Sequence, residues 1–179
     1  PNPLGNAIMA IIPATERLPY LQPFLEQCHL RQYPARAAII HAGDASDSLF
    51  FIVKGSVSVV IEDDEGREMV VAYLNAGDFF GEMGLFEEKP SRSAWIRAKI
   101  ACEIAEISYK KFKEIARHDP GLMFALSAQL AGRLRATTRK VSDLAFLDVT
   151  GRVARCLLDL SKQPDAMTHP DGMQIRVTR

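Results

Sequence analysis

Hydrophobic and polar positions follow a strand-like pattern through the middle of the chain. Between residues 37 and 108, short runs of β-branched and aromatic residues are separated by residues typical of turns, such as glycine, asparagine and aspartate. These runs predict strands at residues 48–53, 55–61, 68–74, 93–98 and 102–108. Several short strands at regular spacing predict a β-sandwich or a jelly-roll-like barrel.

The pattern becomes helical after residue 108. Residues 109–118 predict a short helix, and residues 121–146 predict one long helix because they hold no proline and many good helix formers. Asp148 is placed to cap a further helix over residues 149–161. Beyond it, two strand-like pieces around Pro170-Asp171-Gly172 predict a hairpin.

The long helix carries one narrow apolar stripe. The stripe is spaced by four, three, four and three residues, which is the rhythm of a coiled-coil seam. Its members are Leu130, Leu134, Thr137, Val141 and Leu144. Such a helix either packs on its own β domain or pairs with a second copy of itself. Because charged residues occupy its other faces, we favour a parallel homodimer formed by residues 121–146.

These elements divide the chain into four parts. Residues 1–17 hold three prolines with little periodicity, and we expect a mobile segment there. Residues 18–120 form the predicted β domain, which opens with a short helix over residues 18–27. Residues 121–146 form the long helix, and residues 147–179 begin a further domain. The chain stops without a closing element, so we expect that domain to be incomplete within this sequence.

Composition narrows the class of protein. Lysine and arginine balance aspartate and glutamate at 22 each, so overall charge does not predict a general affinity for polyanions. The longest apolar stretch, residues 7–13, is far too short to span a bilayer. Three cysteines and four histidines are dispersed, which favours reduced thiols in the cytoplasm and predicts no metal site. No catalytic constellation is evident either, so we expect a binding protein and not an enzyme.

A glycine-rich stretch is the strongest candidate for a binding site. Glycines within residues 77–86 allow tight turns that expose backbone N–H groups, as a bound phosphate requires. Arg92 follows with the side chain best suited to phosphate oxygens, and Ser93 adds a hydroxyl donor. Glu82, when ionised, accepts from a sugar hydroxyl. Together these residues match a ribose cyclic phosphate, although charges beside a loop are also common as plain solvated groups around a turn.

Several stretches resemble one family. They are residues 51–57, 77–82, 92–95, 103–112, 144–152 and 163–172. These stretches are similar to the Crp-Fnr family of bacterial transcription regulators, and within it to the cyclic-AMP-responsive members. The similarity runs nearly without gaps from about Phe24 to Arg179. It implies an α+β fold in which a cyclic-nucleotide-binding β-roll is followed by a long dimerisation helix and the start of a winged-helix DNA-binding domain.

The resemblance also implies roles for the residues of the site. Glu82 would bind the ribose hydroxyl, Arg92 and Ser93 the cyclic phosphate, and Gly81 would shape the turn. Thr137 and Thr138 would meet the adenine amino edge, the second from the partner subunit. The seam position of Thr137 has another interpretation, since a polar residue in a coiled-coil seam can set helix register.

The implied function is a cyclic-AMP-responsive transcription regulator of the bacterial cytoplasm. Cyclic AMP, its effector, would bias the geometry of the dimer. A hinge at Phe146, Leu147 and Asp148 would pass that change to a DNA-binding domain. The recognition helix is expected beyond this chain, so DNA would be bound by the full-length protein only. No membrane partner is expected.

RNA polymerase is the second implied partner. The residues implied to contact it are Thr168, His169 and Gly172 in the hairpin, with His29, Arg31 and Lys111 as a basic group. The resemblance also implies a third contact with RNA polymerase through the acidic turn at residues 62–65. The alternative is that these residues form a solvated turn.

Other functions within and outside the family stay open. Oxygen- and haem-sensing relatives need cysteines or axial ligands that are not evident here. The alternative function is a regulator that answers to another nucleotide such as cyclic di-GMP, but those relatives tend to lose the arginine that Arg92 retains. A nucleotide module of a kinase or channel is the third competitor, which the match over residues 144–172 disfavours.

Overall fold

The computed structural model describes residues 21–87, 91–164, 166–169 and 172–174. In chain order the elements are α1 (Gln22–Leu25), β1 (His29–Tyr33), β2 (Ala38–Ile40), β3 (Ser48–Lys54), β4 (Ser56–Glu62), β5 (Glu68–Asn75), β6 (Phe79–Phe80), a 3₁₀ turn (Met83–Phe86), β7 (Trp95–Ala98), β8 (Cys102–Ser108), α2 (Tyr109–His118), α3 (Pro120–Phe146), α4 (Val149–Leu160), β9 (Met167–His169) and β10 (Gly172–Gln174). The predicted mobile segment at residues 1–17 lies outside the described residues.

Strands β1 to β8 form two antiparallel four-stranded sheets. Their orders are β1-β8-β3-β6 and β2-β7-β4-β5, and β9 pairs with β10 in a separate hairpin. This arrangement confirms the predicted β-roll architecture. Four of the five predicted strands agree with the structure to within one residue at each end.

The fifth predicted strand begins two residues later than expected, at Trp95. The reason lies in the backbone of Arg92, whose N–H donates to Asp44 O at 2.9 Å and whose carbonyl accepts from Gly43 N at 2.8 Å. These bonds join Arg92 to the 43–44 turn. Three strands and the 3₁₀ turn were not predicted. The strands are β1, which is largely exposed, and β2 and β6, which are only three and two residues long.

The pairing of β3 with β6 sorts four phenylalanines onto two faces. Phe50 lies opposite Phe80 and Phe51 opposite Phe79. Because successive side chains of a strand point to opposite faces, the first pair packs in the core between the sheets, where the two rings stack at 5.0 Å. The second pair turns to the other side. Strand β3 is therefore an inner strand of its sheet with apolar side chains buried on both faces.

Two helices cover the outer face of β3 and β6. Phe24 of α1 contacts the rings of Phe51 and Phe79 at centroid distances of 6.2 and 5.7 Å. Phe112 of α2 contacts Phe24 and Phe79 at 6.3 and 6.4 Å. The predicted helix over residues 18–27 is represented, in its described part, by the single turn of α1. Helix α2 begins where predicted, with Ser108 as its N-cap.

The chain forms two compact units, residues 1–129 and 130–179. The first contains both sheets and the beginning of α3, where Leu122 and Leu126 are buried. The second contains the rest of α3, then α4 and the hairpin. Helix α4 begins as predicted at Asp148, whose carboxylate accepts from Gly151 N at 2.8 Å. The predicted long helix is confirmed, with Pro120 as its first residue.

Candidate functional site

The turn before β6 is held from both sides by hydrogen bonds. Gly77 N donates to Ile52 O at 2.8 Å, which ties the turn to β3. On the other side Gln129 of α3 donates from Nε2 to Gly77 O and accepts from Phe79 N, each at 2.8 Å. One amide side chain therefore satisfies two backbone groups of the turn that leads into the glycine-rich stretch.

Gly81 lies where that stretch leaves β6. Its φ is +75°, a conformation that glycine adopts without strain. A Cβ atom at this position would lie 2.7 Å from Arg92 Nη1 and 3.0 Å from Cδ2 of Phe50. The glycine is therefore required both by the backbone conformation and by the side chains packed against it.

Arg92 is buried beside Gly81, with 8% of its surface exposed. Its Nη1 donates to Gly81 O at 3.1 Å and to the Tyr109 hydroxyl at 3.3 Å, and its Nη2 donates to Ser48 O at 2.9 Å. The guanidinium also lies over the ring of Phe50, 5.3 Å from its centroid. Phe50, which stacks on Phe80 in the core, thus packs against the guanidinium.

The donors of Arg92 are only partly used by the protein. A guanidinium carries five N–H groups, and the three hydrogen bonds above occupy both on Nη1 and one on Nη2. The remaining N–H groups, on Nε and Nη2, have no acceptor within the part of the chain that the structure describes. They lie on adjacent nitrogens of the planar group and form the fork that binds two oxygens of a phosphate.

Glu82 follows Gly81 directly along the chain, and Ser93 follows Arg92. Glu82 is 8% exposed and precedes the 3₁₀ turn, whose Leu85 N donates to Glu82 O at 2.9 Å. Ser93 is exposed, and its hydroxyl donates to Met83 Sδ at 3.4 Å. The structure therefore brings together the four residues predicted for ribose and phosphate. A buried carboxylate and a buried guanidinium next to a glycine turn provide an acceptor and paired donors for one small polar ligand.

Three residues of the site were missed by sequence reasoning. The Tyr109 hydroxyl donates to Gly81 O at 2.5 Å and lies 2.6 Å from Ser46 Oγ, while Ser48 contributes its carbonyl to Arg92. Ser46 lies in a polar turn, Ser48 is the first residue of β3, and Tyr109 is the first residue of α2. Nothing in their local sequence points to a site. The one available signal was the family-like stretch over residues 103–112, which includes Tyr109.

The other predicted residues lie elsewhere on the two units. Thr137 and Thr138 are exposed on α3 in the second unit, and Phe146 at its end is 84% exposed. Leu147 and Asp148 form the connection to α4. His29 and Arg31 lie on β1, Lys111 lies on α2, and Thr168, His169 and Gly172 lie in the β9–β10 hairpin. Their roles stay predictions.

Within residues 21–87, 91–164, 166–169 and 172–174, no three histidine, cysteine, aspartate or glutamate side chains cluster as metal ligands do. No described helix combines the length and the apolar character needed to cross a membrane.

The fold and the site define a cyclic nucleotide-binding protein, and the family comparison agrees. The profile of the "cyclic nucleotide-binding domain" matches residues 30–119, and the chain belongs to that family. Over 174 residues it is 62% identical to the cAMP-activated global transcriptional regulator Vfr of Pseudomonas aeruginosa, covering 96% of this chain and 81% of that protein. It is 60% identical over 161 residues to the cAMP-activated global transcriptional regulator CRP of Escherichia coli O157:H7, covering 90% and 77%. The predicted resemblance is thereby confirmed.

Solved structures agree with the fold. The c-di-GMP responsive global regulator CLP of Xanthomonas campestris matches with a TM-score of 0.83 and 43% identity, over 90% of this chain and 80% of that one. The catabolite activator protein of Thermus thermophilus matches with a TM-score of 0.62 over 87% and 89%. At 23% identity the second match supports the fold alone.

Proposed function

We propose that this chain is the effector-binding part of a cyclic-AMP-responsive transcription regulator. The observation that carries the proposal is the buried Arg92, which keeps two N–H groups on Nε and Nη2 for an anion while Glu82, next to Gly81 in the chain, is buried as well. Ligand binding is the function that we assign to this site, since Arg92 offers donors to an anion and Glu82 an acceptor to a hydroxyl.

The residues fit the two polar ends of cyclic AMP. Arg92 donates to the two exocyclic oxygens of the cyclic phosphate, and Ser93 adds its hydroxyl. Glu82 accepts from the ribose 2′-hydroxyl, because an ionised carboxylate is an acceptor only. The negative phosphate neutralises the guanidinium inside a poorly solvated site, where such a pair is stronger than in water.

Relatives favour cyclic AMP over cyclic di-GMP as the effector. Two proteins at 60% identity or more are named as cAMP-activated, whereas the c-di-GMP responsive regulator is 43% identical. The latter is the second candidate function. It is favoured by one observation, the close agreement of the two folds.

A homodimer completes the proposal. Leu134, Val141 and Leu144 on α3 are each 60% exposed or more in the single chain, so the seam that they form has apolar surface to bury. Thr137 and Thr138 on the same helix then meet the adenine, the second from the partner subunit. Ligand binding and helix pairing become coupled, since the nucleotide binds one arrangement of the dimer better than others.

The output of that coupling is DNA binding by the whole regulator. The hinge at Phe146, Leu147 and Asp148 passes the change of helix geometry to the DNA-binding domain that α4 begins. RNA polymerase is the partner on promoters, contacted by the hairpin residues Thr168, His169 and Gly172 and by His29, Arg31 and Lys111. Such a regulator acts in the bacterial cytoplasm.

Calorimetric titration with cyclic AMP, cyclic GMP and cyclic di-GMP tests the effector. Arg92→Leu is expected to lose cyclic AMP binding, because it removes both donors for the phosphate. Arg97→Leu is the matched control, since this arginine lies on β7 and forms an ion pair with Glu68 at the surface. Thermal unfolding without ligand shows whether each variant is folded. Equal cyclic AMP binding by wild-type protein and Arg92→Leu would contradict the proposal, as would binding of cyclic di-GMP alone.

Sedimentation tests the dimer separately. The wild-type chain is expected to sediment as a dimer at micromolar concentration, and Leu134→Lys as a monomer, because a charge in the seam cannot be buried unpaired. Ala136→Lys, at an exposed position on the same helix outside the predicted seam, serves as the control. A monomeric wild-type chain would remove the dimer from the proposal and leave the nucleotide site intact.

A further inference from the structure

We infer that Tyr109, held by Ser46, is a positioning residue that orients Arg92 for the phosphate. The inference rests on the proposed function, since it assigns these two residues to the nucleotide site. Neither side chain needs to touch the ligand. Their effect is on which N–H groups of the guanidinium remain available to it.

The direction of each hydrogen bond follows from the groups involved. Gly81 O can only accept, so the Tyr109 hydroxyl donates its single proton to that carbonyl, at 2.5 Å. Arg92 can only donate, so its Nη1 gives a proton to the tyrosine oxygen at 3.3 Å. Ser46 Oγ, 2.6 Å from the same oxygen, must then be a donor as well, because the tyrosine proton is already used.

The consequence is a fixed plane for the guanidinium. Nη1 is saturated by Gly81 O and by the tyrosine oxygen, and Nη2 is anchored by Ser48 O. Three contacts on two nitrogens leave Nε and one N–H of Nη2 directed away from the protein acceptors. Without the tyrosine hydroxyl, one Nη1 proton would be left unsatisfied in a buried site, which costs free energy until the guanidinium turns to find an acceptor.

Tyr109 is itself rigidly placed. Its backbone N–H donates to Asp47 O at 2.8 Å, and Ser46 and Ser48 on either side of that aspartate are buried. Residues 46–48 therefore supply one contact to the tyrosine hydroxyl, one to its backbone and one to Arg92. A single short segment positions both the orienting residue and the residue that it orients.

The experiment measures cyclic AMP affinity for Tyr109→Phe, which removes only the hydroxyl. We expect an affinity loss of about ten-fold, since a hydrogen bond to a charged group is broken. Ser46→Ala keeps the tyrosine and is expected to weaken binding by about three-fold, because it removes one neutral donor. Tyr73→Phe, on β5 beside Lys99, is the matched control and is expected to bind as wild type does.

A double-mutant cycle separates positioning from a merely structural role. In the Arg92→Gln background, measured at millimolar cyclic AMP, Tyr109→Phe is expected to cause no further loss, because the group that it orients is gone. The same loss in both backgrounds would overturn the inference, and so would wild-type affinity in both Tyr109→Phe and Ser46→Ala. Should Tyr109→Phe fail to fold, Ser46→Ala carries the same cycle. Failure of the wild-type chain to bind cyclic AMP would instead contradict the proposed function.

Discussion

Gly81 and Arg92 determine one another: the glycine carbonyl accepts from Nη1 of the arginine at 3.1 Å, and that same nitrogen lies 2.7 Å from where a Cβ on residue 81 would be. The arginine can approach this closely only because the residue has no side chain. The first prediction therefore concerns Gly81→Ala. This substitution would place a side chain on a backbone at φ +75°, and its Cβ would clash with the guanidinium.

Gly81→Ala is expected to lower the free energy of unfolding by about 2–4 kcal/mol and to lose most of the cyclic AMP affinity. Gly66→Ala, in the turn between β4 and β5, separates the two causes, since φ is +77° there and the added Cβ would make only an ordinary contact, 3.6 Å from Glu62 Oε1. That control should lose only about 1 kcal/mol of stability and keep its affinity. Urea unfolding and calorimetry measure both quantities. Equal losses in the two variants would mean that strain alone explains the effect.

The second prediction concerns Gln129, which joins α3 to the turn before β6. Gln129→Leu removes the donor to Gly77 O and the acceptor of Phe79 N, so two backbone groups lose their partners. We expect the free energy of unfolding to fall by about 2–3 kcal/mol. Ser127→Ala, at an exposed position on the same helix, should change it by less than about 0.5 kcal/mol. A stability change in Gln129→Leu no larger than in this control would contradict the assignment.

The third prediction is a pH dependence at the surface of the first unit. A hydrogen bond from Arg97 holds the pKa of Glu68 below its usual range. Because the folded-state pKa is the lower one, this pair adds stability above the carboxyl's unfolded pKa and loses it as pH falls through the folded value. The melting temperatures of wild-type protein and Glu68→Gln should therefore differ at neutral pH and converge in acid. Glu26→Gln, at an exposed glutamate at the end of α1, is the control. If the melting temperatures of wild-type protein and Glu68→Gln differed by the same amount at every pH, the Glu68–Arg97 pair would not be the source of the difference.

The fourth prediction concerns the three free thiols. Burial raises the pKa of Cys28 to about 12 and also raises that of Cys102, whereas Cys156 on α4 is exposed. The thiolate is the reactive form, so at pH 8 we expect one fast-reacting thiol per folded chain with a chromogenic disulfide reagent. Cys156→Ser should abolish the fast phase. Cys28, which is half-buried, and Cys102, which is buried, should react slowly until the chain unfolds. A second fast thiol in the native chain would contradict this shielding.

Much of the fold follows from local chemistry that the sequence displays. Short runs of β-branched and aromatic residues between turn residues predicted β3, β4, β5 and β8 almost to the residue, because such side chains favour strands and each turn needs special backbone angles. The extent of α3 and the N-cap at Asp148 were also predicted from the sequence. The glycine-rich stretch with Glu82, Arg92 and Ser93 could be named as a candidate site from the sequence, since all of its members lie close together along the chain.

Tertiary structure decided the rest, because it depends on residues that are distant in sequence. The short strands β2 and β6 exist only through their partners, and the register of β6 on β3 determines which phenylalanine supports Arg92. Ser46 and Tyr109 are 63 positions apart and meet at one hydrogen bond beside Gly81. A strand pattern reports which face is buried, but it carries no information on which distant hydroxyl lies across that face. For this reason the charged residues of the candidate site could be predicted from sequence, and the distant groups that contact Arg92 could not.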